Sequence, residues 1–422
     1  MRESSTSRPE AKVEKTTRFA FQTFSSLRYP DYRHLWTGTL LMSAGQWIQQ
    51  VTLGWLLYDL TGSSVLLGLL NGFRTVPFLF SSPLAGVAAD RMDRKVLMLR
   101  AQYVLVATAL AMGVLVGSGL LQVWHLFLFT LITGTAWSFA EPVRHTLVPH
   151  LVPKKELMNA VALHSSGFHL MKVVGPAVGG FLIAFFGVAG NFFVQAAAYA
   201  GVLVTIHFLH VPSTQGEGRH SSVFADLKEV FAYIASTPTV LIILAADLAP
   251  RIFAVPYHAL LPIFQKDVFR VGPEGLGMML AAPGFGAVLS TLLLASLSHR
   301  LRRRYLILPG GLLLLGIALI LFSRADSFSL ALLALVGVGA CQLFFMATTN
   351  TLLQMVVPDA LRGRVMSIYM LDRGFIPAGS LLAGVSAHYI GAPATVSVMG
   401  LIVIILATLV VFRLPLLRQI EG

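Results

Sequence analysis

Repeated apolar runs, each about as long as a membrane-spanning helix, constrain this chain more than any other feature. Twelve can be read off the sequence, at 34–59, 65–89, 96–117, 123–141, 160–186, 191–210, 239–264, 275–297, 305–323, 328–350, 364–389 and 394–412. About 20 apolar residues in a helix cross a hydrocarbon core of about 30 Å. In lipid every backbone N–H and C=O must be satisfied internally, so runs of this length read as helices. The Gly and Pro inside them are tolerated there. With 56% hydrophobic and 12% charged residues and a mean hydropathy of +0.76, the chain lies far from soluble domains.

Residues 1–19 are polar, without the apolar core or cleavage site of a signal peptide, and read as a cytosolic tail. The single cysteine, Cys341, lies in an apolar run, which excludes a disulfide framework and a Cys-based metal site. There is no phosphate-cradling Gly-x-x-x-x-Gly-Lys-Ser/Thr loop, no metal-ligand spacing and no catalytic constellation. An enzyme, an ATP-driven pump, a resident metal and a cofactor are therefore not expected.

The net charge of +12 could suggest a nucleic-acid partner, but its distribution reads as topology. With a cytosolic N-terminus, twelve spans place both termini inside. Of the 31 Lys and Arg, 24 then fall inside, 3 outside (Lys266, Arg270, Arg324) and 4 within spans (Arg74, Lys172, Arg251, Arg373). The positive-inside bias selects this orientation, and the basic face attracts anionic lipid. The expected location is the cell (inner) membrane.

The longest internal polar stretch, 211–238, divides the chain. The expected units are a cytosolic tail at 1–33, a six-helix bundle at 34–210, the linker at 211–238, a second bundle at 239–412 and a tail at 413–422. In the linker, Val223, Phe224, Leu227, Val230, Phe231 and Ile234 share one helical face, so a short helix on the inner membrane surface is expected. The halves repeat. Thr146-Leu147 with Val152-Pro153 recurs as Thr351-Leu352 with Val357-Pro358, a shift of 205, which also aligns Gly179 with Gly384. Asp90-Arg91 and Arg94 recur at a shift of 209 as His299-Arg300 and Arg303, with the acid lost.

Gly86-x-x-x-Asp90-Arg91-x-x-Arg94-Lys95 resembles the motif between helices 2 and 3 of the major facilitator superfamily, with Asp93 where a glycine is common. Gly175-Pro176-Ala-Val-Gly179-Gly180 resembles that superfamily's antiporter motif, with Ala162 and Met171 at its two upstream glycines. Tyr58-Asp59-Leu-Thr61-Gly62-Ser63, Pro142-Val-Arg144 and Val357-Pro358-Asp359-Ala-Leu-Arg362-Gly363-Arg364 narrow the resemblance. They look like the efflux branch of enterobactin-type siderophore exporters, macrolide efflux proteins and a lysophospholipid transporter. The resemblance spans residues 30–412. It implies an all-α membrane protein of two pseudo-symmetric six-helix bundles, acting as a secondary active exporter by alternating access. Its substrate would be an amphipathic small molecule of drug or siderophore type, exchanged for protons by a monomer. A lysophospholipid transporter is the alternative, and a transport-inactive membrane sensor the alternative of another class.

Residues follow from these readings. Gly86 lets two helices approach closely. Asp90 could accept hydrogen bonds from a helix N-terminus in the other half and pair with Arg144, latching the inner gate. Arg91, Arg94 and Lys95 anchor the loop inside. Gly175, Gly179 and Gly180 set small residues along helix 5, bent by Pro176, where tight packing could seal a gate. Each charge within a span costs about 2.5–3.5 kcal/mol on insertion scales, so it should face a cavity or a partner. Proton-coupling candidates are Asp247, Asp372 and Glu141, with His164 and His169 as weaker ones. Asp247 and Arg251 share a helix face. Cavity candidates are Gln46, Gln49, Gln50, Arg74, Lys172, Arg251 and Arg373.

Overall fold

The computed structural model describes residues 23–210, 223–297 and 304–412. Among the described residues it is helical, with no strand. The first half holds α1 (Pro30–Thr61), α2 (Ser64–Arg91), α3 (Arg94–Gly117), α4 (Val123–Leu151) and α5 (Leu157–His207). Then come α6 (Val223–Ser236), α7 (Pro238–Phe253), α8 (Tyr257–Ile263), α9 (Pro273–Leu297), α10 (Arg304–Ser323), α11 (Phe328–Val356), α12 (Asp359–Leu371), α13 (Ile376–Ile390) and α14 (Ala392–Phe412).

Among the described residues, seven helical stretches are long and apolar enough to cross a membrane, in α3, α4, α5, α7 with α8, α9, α11 and α14. The 32-residue α1 is not one of them, because three glutamines at its centre offset its leucines. The chain is a multi-pass membrane protein.

The apolar runs do not map one to one onto helices. Those at 160–186 and 191–210 form α5, interrupted only at Gly187, whose φ 70° and ψ 179° lie in a region open essentially to glycine. Gly391, with φ 79° and ψ 156°, makes the matching break between α13 and α14, 204 residues later. The run at 239–264 is broken, since α7 stops at Phe253 and α8 begins after Pro256. Proline lacks the N–H that would continue the ladder, and its ring crowds the preceding turn. The N–H groups of Ala254 and Val255 both donate to the Pro250 carbonyl at 2.8 Å, so the break leaves neither unsatisfied. The run at 364–389 also breaks, at a 3-10 turn over Asp372–Phe375 ahead of Pro377. The linker helix α6 does not simply lie on a membrane surface. Val230 and Ile234 are buried in the core of the second half, beside α7 and α12.

Polar side chains tie the first half together from within. The Asn191 amide donates to Thr52 Oγ1 (2.6 Å), Gln195 to Gln49 Oε1 (2.6 Å), Gln49 to Thr133 Oγ1 (3.1 Å) and Gln102 to the Tyr199 carbonyl (3.0 Å). Each link joins two segments that apolar packing alone would let slide. At the end of the bundle near the termini, Asp93 caps α3, accepting from the N–H groups of Lys95 (2.8 Å) and Val96 (3.1 Å). Lys95 Nζ donates to the carbonyls of His207 (2.7 Å) and Leu209 (2.9 Å), closing the C-terminal end of α5. Asp93 thus has a helix-capping reason to stand where a glycine is common. Asp93→Ala is expected to cost about 1 kcal/mol and Asp93→Gly a few tenths, read as thermal melting of the detergent-purified protein.

The halves meet along two crossings, α5 against α9 and α2 against α13. Both concentrate toward the end distal to the termini. A Cβ at Gly180 would stand 2.5 Å from the Pro273 carbonyl oxygen and 3.0 Å from Gly277 Cα. One at Gly384 would stand 2.5 Å from the Ser64 carbonyl oxygen and 3.2 Å from Gly68 Cα. Gly277 follows Gly68 by 209 residues and Gly384 follows Gly180 by 204, so the two crossings repeat each other. In this packing the residue of the first half equivalent to Gly384 is Gly180, not the Gly179 that the 205-residue shift aligns with it. Gly175 and Gly179 instead face α1 of their own half, against Trp47 and Ile48.

Candidate transport cavity

A cavity of about 420 Å³ lies between the halves. The first half contributes Gln46, Trp47 and Gln50 from α1, Asn71 and Arg74 from α2, and Lys172 from α5. Arg251, Val255, Pro256, His258, Gln342 and Ser380 face them from α7, the break after it, α8, α11 and α13. The volume falls in the range of small-molecule sites.

Local structure explains this lining. Gln46 and Gln50 are one helical turn apart and share a face. Gln49 points elsewhere, toward Thr133 and Gln195, and is buried at 3% exposure. It belongs to the interior of the first half and not to the cavity, which corrects the expectation for that residue. The α7–α8 break brings irregular backbone to the cavity wall, the setting in which membrane proteins tolerate it. It also presents His258, which periodicity did not flag; the nearby prolines were the available signal. Asn71, Gln342 and Ser380 were missed too. Each is a polar residue in an apolar run, but so are many that only pack.

Of the charged cavity candidates, Arg74, Lys172 and Arg251 converge here. Arg74 Nη1 donates to Gln50 Oε1 at 2.7 Å, and its guanidinium stands 5.8 Å from the Trp137 ring centroid. Arg251 Nη2 is 3.5 Å from Asp247 Oδ2, both groups buried. His258 lies in the field of Lys172 and Arg74. Arg373 and Asp372 have side chains outside the described residues. Their backbone lies in the 3-10 turn instead of the helix expected for them, because the chain breaks ahead of Pro377.

A second cavity of about 470 Å³ adjoins the first through Gln46 and lies within the first half. Glu141, Arg144, His145, His164 and Phe168 line it. The His145 and His164 rings meet edge to face at 5.1 Å. Arg144 Nε and Nη1 and Arg94 Nη1 are buried without an acceptor among the described residues. The side chains of Asp90, the expected latch to Arg144, and of Arg91 lie outside the described residues, as does the packing around Gly86.

At the end distal to the termini two side-chain links join the halves. Lys266 Nζ meets Asp59 Oδ1 at 2.7 Å, and the Tyr58 hydroxyl donates to Asp267. They tie the last turn of α1 to the π-helical turn Phe264–Val268. The Lys266–Asp59 pair is solvent-exposed, so its loss is expected to cost under about 1 kcal/mol. Asp59→Asn with Lys266→Met should therefore lower the melting temperature of the detergent-purified protein only slightly.

The family model described as transmembrane secretion effector matches residues 21–421, nearly the whole chain. The chain belongs to this family, within the efflux branch of the major facilitator superfamily. It is 26% identical to the staphyloferrin A transporter of Staphylococcus aureus, over 87% of this chain and 92% of that one. It is 26% identical to the multidrug efflux pump Tap of Mycolicibacterium fortuitum, over 90% and 95%. With macrolide efflux protein A of Streptococcus pyogenes it shares 21%, over 88% and 93%. Among solved structures, a bacterial homologue of the human lysosomal transporter Spinster, inward-facing and unoccupied, superposes with a TM-score of 0.72 at 15% identity over 93% and 99%. The nucleoside transporter NupG superposes at 0.73 and 15%, over 90% and 98%. At these identities the structural likeness concerns the fold.

Proposed function

We propose that this protein is a secondary exporter of amphipathic small molecules, of drug or siderophore type, with twelve membrane helices in two six-helix bundles. It works by alternating access and proton antiport in the cell membrane, with both termini in the cytosol. The observation that carries the reading is the cavity walled by polar side chains from both halves while backbone packs against backbone on its distal side. A site shared by two such bodies opens to one face when they tilt one way and to the other when they tilt back. The distal contacts at Gly180–Gly277 and Gly68–Gly384 close one exit. The other closes when the termini ends approach, and there Asp90 is the acceptor for Arg144, whose Nε and Nη1 have none among the described residues. Relatives named for staphyloferrin A, macrolides and multidrug efflux support a small-molecule cargo.

The proton site in this reading is Asp247, because its partner Arg251 lines the cavity; a proton or a ligand at this pair changes the charge that the other meets. Glu141 is the second carboxylate, in the adjoining cavity. The lipid-transport alternative draws on one observation, an apolar groove of about 520 Å³ between α3 and α4 with Arg100 at its wall.

Purified protein in proteoliposomes with an imposed pH gradient tests the reading against dyes, siderophores and lysophospholipids. Gradient-driven flux of a dye or siderophore is expected; flux of lysophospholipid alone favours the alternative, and no flux of any kind sinks the antiporter. Asp90→Asn is expected to slow turnover at least about tenfold and leave binding within about twofold, read as initial efflux rate and equilibrium binding. Unchanged turnover would remove Asp90 from the latch.

A further inference from the structure

We infer that the central cavity binds an organic anion bearing carboxylate groups, held from both halves at once. The inference rests on the export reading for the site's role and adds the chemical class of its substrate. Arg74 and Lys172 reach the cavity from the first half and Arg251 from the second. Among the described residues no Asp or Glu lines it. Two carboxylates act from behind the wall, Asp247 at 3.5 Å from Arg251 and Glu141, whose charge reaches Arg74 from the adjoining cavity. Among the described residues, then, three cations on the wall face two acids behind it. Lys172 has no side-chain partner among the described residues.

The hydrogen-bonding balance points the same way. Arginine, lysine and tryptophan side chains only donate. The Trp47 indole N–H, in the same wall, is buried without an acceptor among the described residues. A ligand that completes this site must bring acceptors and negative charge. Arginine's planar fork takes a carboxylate through two parallel bonds, and lysine adds a compact point charge. Gln46 and Asn71 supply amides for hydroxyl or carbonyl groups between the charged ends. An anion spanning Arg74 or Lys172 and Arg251 would draw the halves together around it. Outward movement of such a ligand also runs with an inside-negative membrane potential.

The test is binding by the full-length protein in nanodiscs, with citrate, benzoate and 2,3-dihydroxybenzoate as anionic probes and ethidium as the cationic one. At least one anion should bind saturably and raise the melting temperature, without competition from ethidium. Arg74→Gln and Lys172→Gln should each weaken it by at least about tenfold, and Arg74→Lys and Lys172→Arg by much less. The melting temperature of each unliganded variant identifies any that is merely misfolded, and the conservative variants keep the comparison open in that case. Absence of binding by all three anions, or anion binding indifferent to both Gln variants in folded protein, overturns the inference. Anion binding without pH-gradient-driven flux leaves the anion site standing and sinks proton-driven export. Ethidium efflux without anion binding does the reverse.

Discussion

Asp247→Ala is expected to destabilise the protein by up to about 3–5 kcal/mol, because it takes from a buried guanidinium the carboxylate 3.5 Å away. Asp247 and Arg251 are 1% and 7% exposed, so water replaces little of the lost partner. The double variant Asp247→Leu/Arg251→Met, which removes both charges and keeps most of the volume, should be less destabilised than Asp247→Ala. Neither variant should move substrate against a pH gradient. Asp247→Asn separates the roles, because its side chain keeps the shape of a protonated carboxylic acid but carries no exchangeable charge. It is expected to keep substrate exchange at equilibrium and lose proton-driven accumulation. Thermal melting and paired exchange and uptake assays in proteoliposomes read these outcomes. Full proton-driven accumulation by Asp247→Asn would assign the proton to another group, with Glu141 next.

Gly180→Leu should act through geometry alone. The added Cβ meets the Pro273 carbonyl oxygen at 2.5 Å and Gly277 Cα at 3.0 Å, backbone atoms that cannot swing aside. Overpacking of this kind costs about 1–3 kcal/mol. In the alternating-access reading proposed above, only the distally closed arrangement contains the contact, so the cost falls on one state. The population should move toward the distally open state by about 5- to 150-fold, with export nearly lost. Spin labels at Leu120 and Asp326, exposed in the α3–α4 and α10–α11 turns, should move apart in a background with Cys341 replaced. Gly179→Ala is the control. Its Cβ would stand 3.1 Å from Ile48 Cα inside the first half, so it should perturb stability and leave the distribution of states in place. Equal distance distributions for Gly180→Leu and the native protein would remove this crossing from the gate.

These two experiments turn on residues of different legibility. Asp247 and Arg251 were legible as a pair because both sit four apart in an apolar run, where a charge demands a partner or a cavity. The sequence marked the glycine stripe of α5 but not its division of labour. Gly175 and Gly179 serve packing within one half and Gly180 the crossing between halves, although Gly179 and Gly180 are neighbours. About 100° of helical rotation separates them, and which helix lies on each side is set by distant segments. The three glutamines of α1 divide likewise, Gln46 and Gln50 toward the cavity and Gln49 into the first half. His258 became a wall residue because α7 breaks, a consequence of Pro250 and Pro256 that hydropathy masks.

Local chemistry determined that this chain crosses a membrane repeatedly in helices, that its halves repeat and that its few intramembrane charges matter. The repeat is read from residues recurring 205 and 209 positions apart; the other two follow from the cost of placing a polar group in hydrocarbon, which a residue incurs whatever its distant neighbours are. Only the tertiary structure decided that Arg74, Lys172 and Arg251 face one cavity and that Gly180 meets Gly277. Convergence depends on the rotation and pairing of helices distant in sequence. Those are fixed by close packing, which leaves no periodic trace along the chain.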